Sequence, residues 1–249
     1  MKSCPTCSRV YSDDTLNFCF EDRTPLVGYY QTESLTSVAE PVEAFVEIGT
    51  EQTRVNNFAK GQRLTTKLYL PPPRQTLVER DWLLEQLNEG LKGKLTLISA
   101  PAGFGKTSLV TMWRKQSDIP LAWFSLDAED NDPNLFADYL FGALQTVDER
   151  LGQRSANLLQ ASRVPPLKVF LTSLINEISE YESEFVLALD DYHVVHERSI
   201  HEAISFFIER LPPHAHALIT TRSDPPFPLS RLRARSELKE LRASDLRFG

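Results

Sequence analysis

The chain has 249 residues, with 27 Lys and Arg against 34 Asp and Glu, a formal net charge of −7, 41% hydrophobic residues and 24% charged residues. This is globular composition, which excludes a disordered or fibrous chain, and the acidic balance argues against a protein that coats nucleic acid through bulk charge. No apolar run approaches the ~20 residues of a membrane span, residues 1–10 lack the apolar core of a secretory signal, and three cysteines confined to the N-terminus make no disulfide framework, so a soluble, cytoplasmic protein is expected.

Composition shifts twice along the chain. Residues 1–27 hold all the cysteines, as Cys4-Pro5-Thr6-Cys7 and Cys19-Phe20-Glu21-Asp22. This is the paired-knuckle spacing of a small zinc ribbon with Asp22 at the fourth ligand position; two pairs on tight turns converge tetrahedrally on Zn²⁺, and a carboxylate is an acceptable ligand. So short a segment has too small a core to fold without such a staple. The pattern resembles the zinc-ribbon heads at the start of many bacterial multidomain proteins, except that Arg23 stands where those have glycine. With four positions filled the zinc would be structural. Free thiols or a redox Cys-x-x-Cys pair are the alternatives, and the redox motif lacks its strand–helix context. Residues 28–65 are rich in Thr, Ser, Glu and Gln and read as a flexible linker.

From residue 66 to 249 the pattern is periodic. Pro71-Pro72-Pro73 imposes an extended lead-in, and Trp82, Leu83, Leu84, Leu87 and Leu91 then recur at helical spacing. Apolar runs at 95–100, 121–126, 185–189 and 217–221 read as four strands, with a fifth at 237–241. Between them, helices follow Asp132-Pro133 and Pro165-Pro166, and an apolar stripe from Ile200 to Leu211 is stopped by Pro212-Pro213. Continuous apolar strands alternating with amphipathic helices imply an α/β fold, a parallel sheet covered on both faces.

The most informative stretch runs Ala100-Pro101-Ala102-Gly103-Phe104-Gly105-Lys106-Thr107-Ser108, after a strand and opening a helix. It is a Walker A loop with Ala100 in place of the first glycine. Glycines let backbone N–H groups turn toward phosphate oxygens, and the helix N-terminus adds its positive partial charge. Lys106 would reach the β- and γ-phosphates and the Thr107 hydroxyl would coordinate Mg²⁺. Gly-Lys-Thr alone recurs by chance in ordinary turns; the strand–loop–helix context gives the match its weight. A hydrophobic strand ending in Asp190-Asp191 supplies the second part. Asp190 is the expected Mg²⁺ partner, directly or through water, and Asp191 the group that orients or deprotonates an attacking water. Arg222 ends the fourth strand at the edge where ligands of such sheets lie, placed to pair with the γ-phosphate; a surface Arg in a turn is the alternative.

Other features are read as structural. His193, His196 and His201 are taken as a Tyr-His pair element plus surface helix residues rather than a metal site, and His214 and His216 as loop residues. The basic bias of Arg231, Arg233, Arg235, Lys239, Arg242 and Arg247 lacks interleaved aromatics and is read as a solvated or inter-subunit face. Met112 and Trp113 are assigned to the core.

Together, Thr66–Pro73, Leu77–Asp81, Ser99–Ser108, Trp123–Asp127, Leu189–His193, Thr221-Arg222 and Leu241–Phe248 resemble the MalT-like branch of LuxR-family ATP-dependent transcriptional regulators, within the STAND class of signal-transduction P-loop ATPases. The resemblance covers about residues 65–249. It implies an AAA-like five-stranded sheet with the fourth strand inserted beside the P-loop strand. It also implies a switch that rests with ADP, exchanges it for ATP, self-associates in the ATP form and resets by slow hydrolysis. Arg80-Asp81 matches that family's Arg-acidic pair near the nucleotide, and Arg222 its sensor Arg. Such relatives continue into winged-helix, helical-repeat and helix-turn-helix modules, whereas this sequence ends at Gly249. A chain truncated before the sensor and DNA-binding domains, without direct DNA binding, is therefore expected. The alternative is a non-catalytic, nucleotide-stabilised scaffold that recruits a partner through the zinc head.

Overall fold

The computed structural model describes residues 63–72, 80–159 and 166–247 in full, together with the backbone of three short strands nearer the N-terminus. Those strands, β1 (Lys2–Ser3), β2 (Val10–Tyr11) and β3 (Val27–Gly28), form an antiparallel sheet in the order β2-β1-β3. The zinc assignment to Cys4, Cys7, Cys19 and Asp22 lies outside the described residues. The chain divides into two compact units, Met1–Phe58 and Ala59–Gly249.

The second unit is built on β4 (Leu95–Ser99), β5 (Leu121–Ser125), β6 (Phe185–Asp190), β7 (Ala215–Thr221) and β8 (Leu238–Arg242). All pair in parallel, in the order β5-β6-β7-β4-β8. The fourth strand of this unit is thus inserted between the third and the strand that leads into the glycine-bearing loop at 100–105, as the resemblance implies. Every residue of β4, β6 and β7 is buried, which is why their sequences are apolar without alternation.

Successive side chains still face opposite sides of the sheet. Leu95, Leu97, Leu187, Leu189, Ala217 and Ile219 pack against α3 (Pro133–Gln145), α5 (Leu167–Ser179) and α6 (Arg198–Glu209). On the other face Ile98, Val186, Ala188 and Leu218 pack against α1 (Asp81–Gly90) and α2 (Lys106–Gln116), through Leu83, Leu87, Leu109, Val110 and Trp113. The expected helix starts have their physical causes in place. Asp132 accepts the N–H groups of Asn134 and Leu135 with Pro133 in the first turn, and Glu197 accepts that of Ser199 ahead of α6.

The segment before the core is tied down by charge. Lys67, in a 3-10 turn at Thr65–Leu68, donates to both carboxylate oxygens of the fully buried Asp130 at 2.5 and 2.6 Å, and lies 3.0 Å from Asp127. Its ammonium sits 4.4 Å from the Tyr139 ring centroid. Burial opposes the Lys67 charge, but its bonds to the Asp130 and Asp127 carboxylates outweigh it, leaving the pKa raised. Arg63 adds a two-pronged pair with Asp138 on α3 at 2.8 and 2.7 Å, so contacts with the core begin ahead of the periodic pattern.

Three helices arise without a strong local signal: α4 (Gln153–Leu159), α7 (Leu229–Ala234) and α8 (Ala243–Leu246). The start of α4 is held by a distant acid, because the buried Glu177 carboxylate on α5 accepts the N–H groups of Arg154 and Ser155. The loop assignment of His216 is corrected. It lies within β7, 4% exposed, with Nδ1 2.8 Å from the Gly93 carbonyl and Nε2 2.9 Å from the Thr96 hydroxyl. Nδ1–H therefore donates and Nε2 accepts, which is a neutral imidazole.

Burial lowers the His216 pKa to about 4, against the bond to Gly93. An unfolded histidine takes up its proton near 6.5, so this group's contribution is complete above that pH and is lost as pH falls from 6.5 toward 4. Urea unfolding at stepped pH should lose up to about 3 kcal/mol across this window, and His216→Gln should flatten the slope by about one proton. An unchanged slope in the variant would contradict the assignment.

Candidate functional site

The carboxyl ends of β4, β6 and β7 lie side by side on one edge of the sheet. After β4 the chain turns through 100–105 into α2. Ala100 is 2% exposed and its N–H donates to the Thr221 carbonyl at 3.2 Å. It thus prolongs the strand pairing at negative φ, and alanine serves there as well as glycine. Gly103 and Gly105 adopt φ of 84° and 77°, the left-handed region that L-residues avoid. A Cβ at either position would meet no atom within 4 Å. Conformation, not crowding, therefore demands glycine, and the loop surface is open above both. Ala102 and Gly103 are exposed, Phe104 packs down on the α1–α2 side of the core, and Ser108 is half-buried in the first turn of α2. No side chain caps that first turn, so its N–H groups are available to an anion.

Lys106 is 7% exposed, and its ammonium donates to the carbonyls of Ala100 at 2.9 Å and Pro101 at 3.1 Å. Burial lowers its pKa, with the Arg222 charge adding to the effect and Asp191 and Asp190 opposing it. Thr107 Oγ1 lies 3.1 Å from each carboxylate oxygen of Asp190. Asp190 is only 4% exposed and also accepts the hydroxyl of Thr220. Burial pushes the Asp190 carboxyl up; the bond from Thr220 opposes this, the Asp191 charge adds to it, and Thr107 and Lys106 oppose it.

Asp191 leaves β6 in the left-handed conformation, at φ 56° and ψ 38°, and donates its N–H to Thr220 Oγ1 at 3.1 Å. Its half-exposed carboxylate reaches within 3.6 Å of His193 Nδ1, an atom that is buried and has no hydrogen-bond partner. Burial lowers the His193 pKa, so the ring is neutral near pH 7; Asp191 opposes the shift while Arg222 and Lys106 reinforce it. Arg222 is exposed at the end of β7, close enough for its charge to act on both groups. The expected residues Lys106, Thr107, Asp190, Asp191 and Arg222 are therefore brought together. Arg80 and Asp81 stand at the start of α1, where Arg80 donates to the Leu246 carbonyl at 2.9 Å and Asp81 is exposed.

Sequence reasoning missed Thr220 and gave His193 no role here. Thr220 reads as an ordinary β-branched strand residue, and only the polar Thr-Thr-Arg ending of an apolar strand hinted otherwise. The surface assignment of His201 is corrected: it is 8% exposed, with Nδ1 3.0 Å from the Tyr192 hydroxyl, because α6 turns that side chain toward the sheet. Among the described residues no group of three His, Cys, Asp or Glu side chains converges as a metal cage.

No protein-family model matches the chain. Over 186 residues, 74% of the chain, it is 37% identical to the HTH-type transcriptional regulator MalT of Yersinia enterocolitica and, at the same identity and coverage, to that of Serratia proteamaculans. The chain spans about a fifth of the length of these curated relatives, 20% of each. Among solved structures it is similar to the signal-transduction ATPase with numerous domains carrying a tetratricopeptide repeat sensor from Pyrococcus horikoshii. That likeness has 16% identity and a TM-score of 0.49, covers 70% of this chain and 24% of that one, and is too distant to bear on function. By sequence the chain is thus homologous to a part of the MalT-type regulators.

The backbone at Gly105 carries a direct test. Gly105→Ala forces a Cβ into the left-handed region and should lower the free energy of urea unfolding by about 1–2 kcal/mol, even though space is available. An unchanged unfolding midpoint would contradict the conformation.

Proposed function

We propose that this chain, homologous over most of its length to MalT-type regulators, carries a Mg²⁺-dependent nucleotide switch that binds ATP and hydrolyses it slowly. The observation that supports it most is the meeting of the P-loop hydroxyl of Thr107 with the buried carboxylate of Asp190 at the carboxyl edge of adjacent parallel strands. Such an edge is where open α/β sheets hold their ligands.

In this reading the backbone N–H groups of 102–108 and the start of α2 receive the phosphates. Lys106 exchanges the Ala100 and Pro101 carbonyls for β- and γ-phosphate oxygens. Thr107 and Asp190 suit Mg²⁺: burial pushes the Asp190 carboxyl up and so disfavours its charge until a cation joins it, and a hydroxyl stands beside it. The ion supplies charge neutralisation across the phosphates. Asp191 orients a water, or takes its proton, as the water oxygen bonds to the γ-phosphorus and the bond to the β–γ bridging oxygen breaks, leaving ADP and inorganic phosphate. Arg222 pairs with the γ-phosphate, and Arg80 and Asp81 serve the remainder of the nucleotide. ADP holds the resting form, and the ATP form self-associates. A structural zinc on Cys4, Cys7, Cys19 and Asp22 completes the reading.

Lys106→Ala should weaken ATP binding at least about a hundredfold by removing the charge-assisted contacts to phosphate. Asp191→Asn should keep ATP affinity while phosphate release falls about a hundredfold to ten-thousandfold. Equilibrium binding and phosphate-release assays on the 249-residue chain measure both. Parental affinity in Lys106→Ala would overturn the reading; tight binding without any release in the parent would identify a nucleotide-stabilised scaffold instead.

A further inference from the structure

We infer that Thr220 is the positioning residue for Asp191, registering the water-directing carboxylate to the phosphate loop through a single hydroxyl. This rests on the hydrolysis reading above and deepens it.

Thr220 is fully buried in β7, between the loop-bearing strand and the acid-bearing strand. Its backbone is fixed on one side, where it stands opposite Ile98 of β4. On the other side the paired register of β6 and β7 ends at Leu189 and Ile219. Asp190 and Thr220 lie one residue beyond, and there the side chain takes over from the backbone. The Thr220 hydroxyl donates to Asp190 and accepts the N–H of Asp191 at 3.1 Å. A hydroxyl has one proton to give, so donating it to Asp190 leaves its lone pairs for Asp191, and the two bonds reinforce one another.

Asp191 needs that support. Of the described residues only Asp191 and Ser236 are non-glycines at positive φ, and a non-glycine in that region persists where surrounding structure over-determines it. No side-chain cap of its own holds the turn. The Val194 N–H closes the turn onto the Asp191 carbonyl at 3.1 Å; the bond from the Asp191 N–H to Thr220 is the side-chain tie that registers the turn, and with it the carboxylate, to β7. Arg222 follows directly on the last residue of β7, so one short segment carries both the hydroxyl that aims the acid and the proposed sensor charge. The stiff χ1 of a β-branched side chain suits this task.

The test compares Thr220→Val, which keeps the shape and removes both bonds, with Thr220→Ser, which keeps the hydroxyl. ATP affinity without Mg²⁺, steady-state phosphate release with Mg²⁺, and amide hydrogen exchange at Asp191 are measured for both and for the parent. The valine variant should bind Mg²⁺-free ATP within about twofold of the parent, while kcat falls between about tenfold and about a hundredfold, the scale of a small misplacement. Its Asp191 amide should lose protection, and serine should restore both kcat and protection. Parental kcat with parental protection in the valine variant would overturn the inference. So would equal losses of nucleotide affinity and kcat in both variants, which mark a merely structural role. A parent chain that releases no phosphate would sink the hydrolysis reading alone. Amide exchange at Asp191 then decides the positioning role, protection in the valine variant counting against it.

Discussion

A carboxylate at the end of a buried strand is the constraint on which the rest of the site depends. Asp190 is almost completely removed from water, and a buried charge is tolerable only when hydrogen-bonded and compensated. Its partners come from two different elements, Thr107 on α2 and Thr220 on β7. Both must therefore end beside β6, and the inserted position of β7 next to β4 satisfies that requirement. Strand order is thus tied to chemistry: moving β7 elsewhere in the sheet would leave the carboxylate without the hydroxyl that joins it to Asp191.

The remainder of the unit holds this edge still. Three central strands buried on both faces pack alternately into the clusters under α3, α5 and α6 and under α1 and α2. The Lys67–Asp130–Asp127 group fastens the lead-in segment across the far edge, beside β5. A buried ion pair of this kind is weak evidence for added stability, but losing one partner leaves an uncompensated charge. Removing either partner would therefore cost more than the intact pair adds. Against that frame the site itself is charged and locally strained. Lys106 is buried and Asp191 stands in a disfavoured conformation, as expected of groups held ready for a ligand.

Much of this was legible in the sequence, for physical reasons that differ element by element. Strands such as Phe185–Asp190 announce themselves because burial on both faces removes every alternating polar residue. The loop at 100–105 is legible because glycine marks the positive φ that phosphate cradles use, and the carboxylates ending β6 because charge there has few other reasons to exist. The insertion of β7 was not readable from periodicity; it came from the family resemblance, since no local pattern names a strand's neighbours. Where polarity was taken for exposure the reading failed. His216 and His201 are buried because Thr96 with Gly93, and Tyr192, satisfy their ring nitrogens. Thr220 and the Glu177 cap of α4 were invisible for the same reason: their partners are distant in the chain.

The proposed function requires the carboxyl edge of β4, β6 and β7 to hold a nucleoside triphosphate with Mg²⁺. Calorimetric titration of the chain with ATP tests it most directly, run with Mg²⁺ and again with the metal chelated. One saturable site per chain, tightened by Mg²⁺, is the predicted result. Absence of saturable binding, or binding indifferent to the metal, would contradict it.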